Sequence, residues 1–190
     1  MCDSQEKGPI VIKLIGMNKK TRNILIAIVA ALVIGSCIFM FVISPIKVRT
    51  GNKEMPEANG QTQEIMHGII VEQKFVNRTE DIKEVALVFS RAYDLGEDVD
   101  IVIELLNGGD VLASANINAD SIQANHRTYL KPASILSDLV DKELTLRVST
   151  TSTAGTGLSL MINTDDDSSF MFGNEKVDGT ICFSVTGKEN

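Results

Sequence analysis

The apolar and polar positions of this chain follow three successive regimes. Residues 24–43 read ILIAIVAALVIGSCIFMFVI, twenty positions without a charge. A helix of that length rises ~30 Å, the thickness of a bilayer's hydrocarbon core. It would be apolar on every face, which a helix buried in a soluble core seldom is. The pattern therefore predicts one transmembrane helix, stopped by Ser44-Pro45, since proline lacks the amide donor and its ring clashes with the preceding turn. Residues 49–64, RTGNKEMPEANGQTQE, are polar and aperiodic, with Gly51, Pro56 and Gly60. Residues 44–64 are accordingly expected to form a tether, holding the C-terminal domain roughly tens of ångströms from the bilayer.

From Ile65 onward the apolar period falls to two. Val99, Ile101, Ile103 and Leu105 share one strand face, as do Leu144, Leu146 and Val148, the mark of half-buried strands. Further strands are expected at 69–76, 85–90, 127–130, 158–162 and 179–185. Asn107-Gly108-Gly109-Asp110 separates the runs 101–106 and 111–115, which predicts a hairpin whose turn takes its positive φ from the glycines. A short helical turn is expected near Ala119-Asp120-Ser121-Ile122. About eight strands joined by loops predict an all-β, two-sheet sandwich over 65–190.

Charge gives this plan a direction. The formal net charge of −7 hides a division: before residue 24, Lys7, Lys13, Lys19, Lys20 and Arg22 face only Asp3 and Glu6. Basic residues flanking a span stay in the cytoplasm, so residues 1–23 read as a basic cytoplasmic tail, and the C-terminal domain as extracytoplasmic at the cell membrane. Lys47 and Arg49 follow the span, but a long domain is exported regardless of a few flanking charges. From Gly51 onward 11 Lys and Arg face 23 Asp and Glu, a field that repels nucleic acid. Met17 opens MNKKTRN ahead of the apolar run, the basic-then-apolar plan of an export signal, so the chain starts at Met1 or at Met17.

Cys2, Cys37 and Cys182 lie in three different environments and cannot pair with one another. The domain is thus expected to rest on an apolar core, with Cys182 a small buried strand residue.

Two resemblances add to this reading. Val33-Ile34-Gly35-Ser36-Cys37 resembles the lipobox of bacterial lipoproteins, which makes lipidation at Cys37 the alternative to an uncleaved anchor, although Ile38-Phe39-Met40-Phe41-Val42-Ile43 prolongs the membrane phase. Over roughly residues 65–164, the succession of the Phe75 strand, Lys83-Glu84-Val85-Ala86-Leu87-Val88-Phe89, the hairpin from Val99 to Ala113, Asn118-Ala119-Asp120-Ser121-Ile122-Gln123-Ala124-Asn125 and Lys142-Glu143-Leu144-Thr145-Leu146-Arg147-Val148-Ser149-Thr150 looks like the jelly-roll ectodomains of bacterial membrane proteins. Such domains are similar to galactose-binding-like and other carbohydrate-binding modules, and often accompany polysaccharide-assembly proteins. The resemblance implies a jelly-roll β-sandwich at the bacterial cell envelope. The chain departs from sugar-binding members in having no Trp.

Few residues carry chemistry. The two histidines, His67 and His126, stand in no nucleophile or metal motif, and no Gly-x-Ser-x-Gly, Gly-x-x-x-x-Gly-Lys or His-Glu-x-x-His occurs, so no enzyme is expected. Asp165-Asp166-Asp167 is an oxygen-rich cluster of the type calcium uses, as is the set Asp94, Glu97, Asp98 and Asp100; neither has EF-hand spacing, and no other cofactor is implied. Tyr93, Asp94, His126, Arg127 and Tyr129 form the candidate ligand-binding group, because a tyrosine face stacks on sugar C–H groups and arginine forks onto hydroxyls or a carboxylate. Asn77-Arg78-Thr79 fits the glycosylation sequon.

The expectation is a single-pass anchored, extracytoplasmic binding or accessory module. Its partner would be an envelope glycan or a membrane protein that handles glycans. The alternative is a structural or assembly subunit making only protein–protein contacts.

Overall fold

The computed structural model describes residues 23, 28, 29, 48–50, 53–93 and 99–187. The chain divides into two units, Met1–Pro45 and Ile46–Asn190. The expected membrane span lies outside the described residues except for Ile28 and Val29, both helical. Among the described residues, no helix is long and apolar enough to cross a membrane. Cys2 and Cys37 also lie outside them.

The second unit is all-β. Its strands are β1 (Arg49–Thr50), β2 (Gly60–Gln61), β3 (Val71–Val76), β4 (Glu84–Arg91), β5 (Asp100–Asn107), β6 (Asp110–Asn118), β7 (Arg127–Leu130), β8 (Glu143–Thr150), β9 (Leu158–Asn163), β10 (Ser169–Phe172), β11 (Glu175–Asp178), β12 (Thr180–Ile181) and β13 (Phe183–Thr186). Four antiparallel pairings nest inside one another: β5 with β6, β4 with β7, β3 with β8 and β2 with β9. This is the pairing of one long hairpin. The hairpin is rolled up by two further pairings, β5 with β8 and β4 with β9, which place alternate strands in two separate sheets. One sheet runs β11-β10-β3-β8-β5-β6, with β1 parallel to β3, and the other runs β12-β9-β4-β13, with β2 on β9 and β7 on β4. The arrangement is a two-sheet sandwich compatible with a jelly roll.

Local sequence explains the elements. Gly108 and Gly109, at φ +59° and +105°, close the β5–β6 hairpin where the sequence places it. In β8 every second side chain from Leu144 is buried, the alternation of a strand with one face on the core. Phe75, Phe89, Phe170 and Phe183 are the largest of the fully buried side chains, and the Phe75 and Phe183 rings meet across the two sheets at 4.9 Å. Each such ring contributes about 2–3 kcal/mol on leaving water. The expected helical turn is a 3₁₀ turn, Ala119–Ser121, capped by the Asn118 side chain accepting from the Asp120 amide.

The C-terminal strand completes the second sheet. β4 and β9 pair only at Phe89–Arg91 with Leu158–Leu160. Beyond that point β12 pairs β9 and β13 pairs β4. Cys182 bridges the two: its amide donates to Met161 O at 2.8 Å and its carbonyl accepts from Val88 N at 3.3 Å. Gln73 on β3 ties this strand to the opposite sheet. Fully buried, its Oε1 accepts from Ile181 N (3.2 Å) and Thr180 Oγ1 (3.3 Å), while its Nε2 donates to Ser169 O (3.2 Å) and Lys74 O (3.1 Å).

Within the segment expected as a tether, several described residues pair with the sandwich. Arg49 is only 8% exposed; its guanidinium donates to Phe183 O (3.2 Å) and Glu54 O (3.1 Å) and lies 4.9 Å from the Phe183 ring centroid. Asn59 N donates to Ile162 O (3.0 Å), Thr62 N to Leu160 O (2.9 Å) and Ile65 N to Leu158 O (2.9 Å), running the segment along β9. A polar, aperiodic stretch can still add a strand, because edge pairing uses backbone groups that every residue carries. The hairpin β10–β11 was not among the expected strands, although Phe170-Met171-Phe172 followed by Gly173-Asn174 is a strand-and-turn signal.

Gln73→Ala leaves the Ile181 amide and Ser169 carbonyl buried without these partners. We expect a loss of about 2–4 kcal/mol in urea unfolding of residues 46–190. Glu72→Ala, one position away on the solvent face, should cost no more than ~1 kcal/mol. Equal losses from the two would remove Gln73 from its inter-sheet role.

Candidate functional site

The candidate ligand group divides between the two edges of β4. β7 pairs one edge, with Arg127 opposite Val88 and Tyr129 opposite Ala86. Thr128 and Leu130 point inward, which turns Arg127 and Tyr129 together to the outer face of the sheet, Tyr129 being 42% exposed. Lys131 joins them, its Nζ 5.7 Å from the Tyr129 ring centroid, a cation–π distance. The sequence reading missed Lys131, although its offset of two from Tyr129 places it on the same strand face. His126 Nδ1 lies 2.9 Å from Ala124 O, within the turn whose Asn125 amide donates to Phe89 O (2.8 Å) and so starts β7.

Tyr93 belongs to the other edge. Its hydroxyl donates to Glu64 Oε1 (2.7 Å), which also accepts from Gly157 N (2.8 Å). Bonding to the Glu64 carboxylate holds the Tyr93 phenol above its ordinary pKa. Gly157 has φ +62°, and a Cβ there would stand 2.5 Å from Tyr93 O, so this approach requires glycine. Tyr93 therefore fastens the loop before β9, and its described partners are not those of β7. Asp94 lies outside the described residues, as do Glu97 and Asp98.

The expected calcium ligands have separate work. Asp165 Oδ2 accepts from Asn59 Nδ2 (2.9 Å); Asp166 Oδ1 accepts from Ser168 N (2.8 Å), and its Oδ2 lies 4.0 Å from Arg49 Nε. Asp167 is exposed. Among the described residues no three His, Cys, Asp or Glu side chains converge as metal ligands. Asp165 and Asp166 thus bond to residues at and near the β9–β10 turn, and Asp166 approaches the guanidinium of Arg49. Burial lowers the pKa of that guanidinium and nearby Asp166 opposes the shift.

Two further features were open in the sequence. Asn77 of the sequon is fully buried, donating to Thr79 O (2.9 Å) and Leu139 O (3.0 Å), so its amide is out of reach of a glycosylating enzyme in the folded domain. A concavity lined by Glu80, Asp81, Ser137, Asp138 and Val140 was not expected; within it Ser137 Oγ donates to Asp81 Oδ1 at 2.6 Å.

Cys182 is buried as expected, at 1% exposure. Burial pushes its thiol up to about 11, with Arg49 opposing. No protein-family profile matches the chain, and no curated protein matches it in sequence.

In residues 46–190, where Cys182 is the sole cysteine, the raised pKa leaves on the order of one thiol in a thousand ionised at pH 8. Iodoacetamide labelling of the native domain should be at least ~100-fold slower than in denaturant, and should rise about tenfold per pH unit as pH climbs toward the folded pKa. Mass spectrometry reads both rates; equal labelling of the two states would contradict the burial.

Proposed function

We propose that this chain is a single-pass, membrane-anchored, extracytoplasmic binding module of jelly-roll type. Its partner is an envelope glycan or a membrane protein that handles glycans. The observation that carries the reading is the ridge formed by Arg127 and Tyr129 on β7 with Lys131 directly after it. A half-exposed aromatic ring flanked by two cations, on a strand held by β4, offers a stacking face and charge-assisted donors that need no rearrangement to bind. Two cations favour a glycan bearing carboxylates or phosphates over a neutral one. The twenty-residue uncharged run supports the anchor, and the basic residues before it support export of the C-terminal domain. The module is proposed as non-catalytic: His126 lies against a backbone carbonyl, and Cys182 is buried with its thiol held protonated.

Residues 46–190 are the piece to test, because a fragment starting at 61 would lack Arg49 and Asn59. On arrays of neutral and acidic glycans we expect selective binding to acidic ones. Tyr129→Ala and Arg127→Ala should each weaken it about 5–30-fold, the effect of losing one stacking or charge-assisted contact. Tyr93→Ala should leave binding within about twofold, since its described contacts lie on the other edge of β4. Blank arrays, with a specific membrane protein recovered by cross-linking, would transfer the reading to a structural or assembly subunit recognising protein alone.

A further inference from the structure

Among the described residues, the nine-residue strand β6 forms an edge of the first sheet. It pairs β5 on one side, and among the described residues no strand pairs its other side. Residues 111–118, VLASANIN, contain no charge and no proline, in a domain otherwise dense in acid. Edge strands in soluble folds are usually blunted by lysine, proline, a bulge or shortness. β6 is long, and its single irregularity lies near the hairpin end, opposite Leu105 and Leu106.

The direction of its free backbone groups follows from the ladder. Ala119 N donates to Val99 O at 2.6 Å, so the odd-numbered residues of β5 turn their N–H and C=O toward β6. Their partners there are Ala113, Ala115 and Ile117. Alternation then points the N–H and C=O groups of Ser114 and Asn116 away from β5, toward the open side. Both residues are exposed.

We infer that β6 pairs antiparallel with β6 of a second copy of this chain, in a register centred on Ser114, joining two domains through one continuous sheet. In this register Ser114 faces Ser114, Leu112 faces Asn116 and Ala113 faces Ala115. The outward-pointing residues thereby fall opposite one another as hydrogen-bonded pairs, and the core-facing residues of both copies stay on one side of the sheet. Although the domain as a whole is acidic, the strand itself is nearly uncharged, so like charges do not meet at the seam of two copies. The strand's one carboxylate, Asp110, comes opposite Asn118, so the two Asp110 lie ~27 Å apart, well beyond the screening length. The neighbouring carboxylate of Asp100 already accepts from Asn116 Nδ2 at 3.1 Å. Small residues at the centre, Ala113, Ser114 and Ala115, leave no bulk to splay the two strands. The inference is independent of the glycan reading.

Sedimentation of the full chain in detergent tests it. The wild type should carry the mass of two chains. Ser114→Lys, which sets charge at the centre, and Ser114→Pro, which removes an N–H that β5 does not use, should carry the mass of one chain with an unchanged β circular-dichroism spectrum. Because a variant can fail to fold, Ser114→Cys in a background with Cys2, Cys37 and Cys182 replaced supplies a second readout. The paired Cα atoms would stand ~5.5 Å apart, within disulfide range, so mild oxidation should cross-link this variant at least ~10-fold faster than Asp110→Cys. A wild type with the mass of one chain, a two-chain mass that survives both substitutions, or equal cross-linking at 110 and 114 would each overturn the pairing.

Discussion

A sandwich of two sheets has few ways to hold its layers in register, because apolar contact between faces is non-directional. Here the direction comes from Gln73, whose side chain leaves the β3 sheet and bonds to β12 in the other layer. An amide inside an apolar core costs several kcal/mol unless its groups are paired, so the alternative positions of the C-terminal strand that would leave it unpaired are disfavoured. That strand in turn fills the gap between β4 and β9, and places Phe183 against Phe75 and beneath the Arg49 guanidinium. Among the described residues every buried side-chain nitrogen and oxygen has a hydrogen-bond partner.

The distribution of cations follows from the acidity of the domain. Arg147 lies between Glu72 (2.8 Å) and Glu104 (3.4 Å) on the outer face of the first sheet, and its bond to Glu72 raises its pKa. Arg91, at the end of β4, donates to Ile122 O (2.8 Å) and approaches Asp120, clamping the turn that carries the chain between the layers. Arg78 pairs with Asp141 at the sandwich margin. These guanidiniums are engaged within the domain. Arg127 and Lys131 instead stand exposed with a tyrosine between them, a locally positive spot on a domain whose overall charge is negative.

The two sheets end differently, and the difference is physical. β7 is four residues long and presents Arg127, with Lys131 immediately after it, the usual defence of an edge. β6 has more than twice that length and meets solvent with alanine, serine and asparagine. One edge therefore carries charge, and the other, among the described residues, carries an unpaired backbone ladder.

Period-two alternation, turn glycines and the uncharged run are properties of neighbours in the chain, and they were legible there: the all-β class, the 108–109 hairpin, the turn at 119–121 and the burial of Cys182 follow from the residues alone. Partnership across the sheets was not, since it depends on which strand lies beside which. Tyr93 and Arg127 were grouped as polar and aromatic residues around β4, yet they occupy opposite edges of that strand because β9 and β7 do. Arg49 reads as a membrane-flanking charge and 53–64 as linker, until pairing with β3 and β9 gives their backbone a place. Lys131 became part of the ridge only when β7 set its face. The sequence by itself determined where strands could form and which side of each is apolar, because side-chain alternation is local. Only the tertiary structure decided which edges remain open and which cations are exposed, because both depend on hydrogen bonds between segments more than a hundred residues apart.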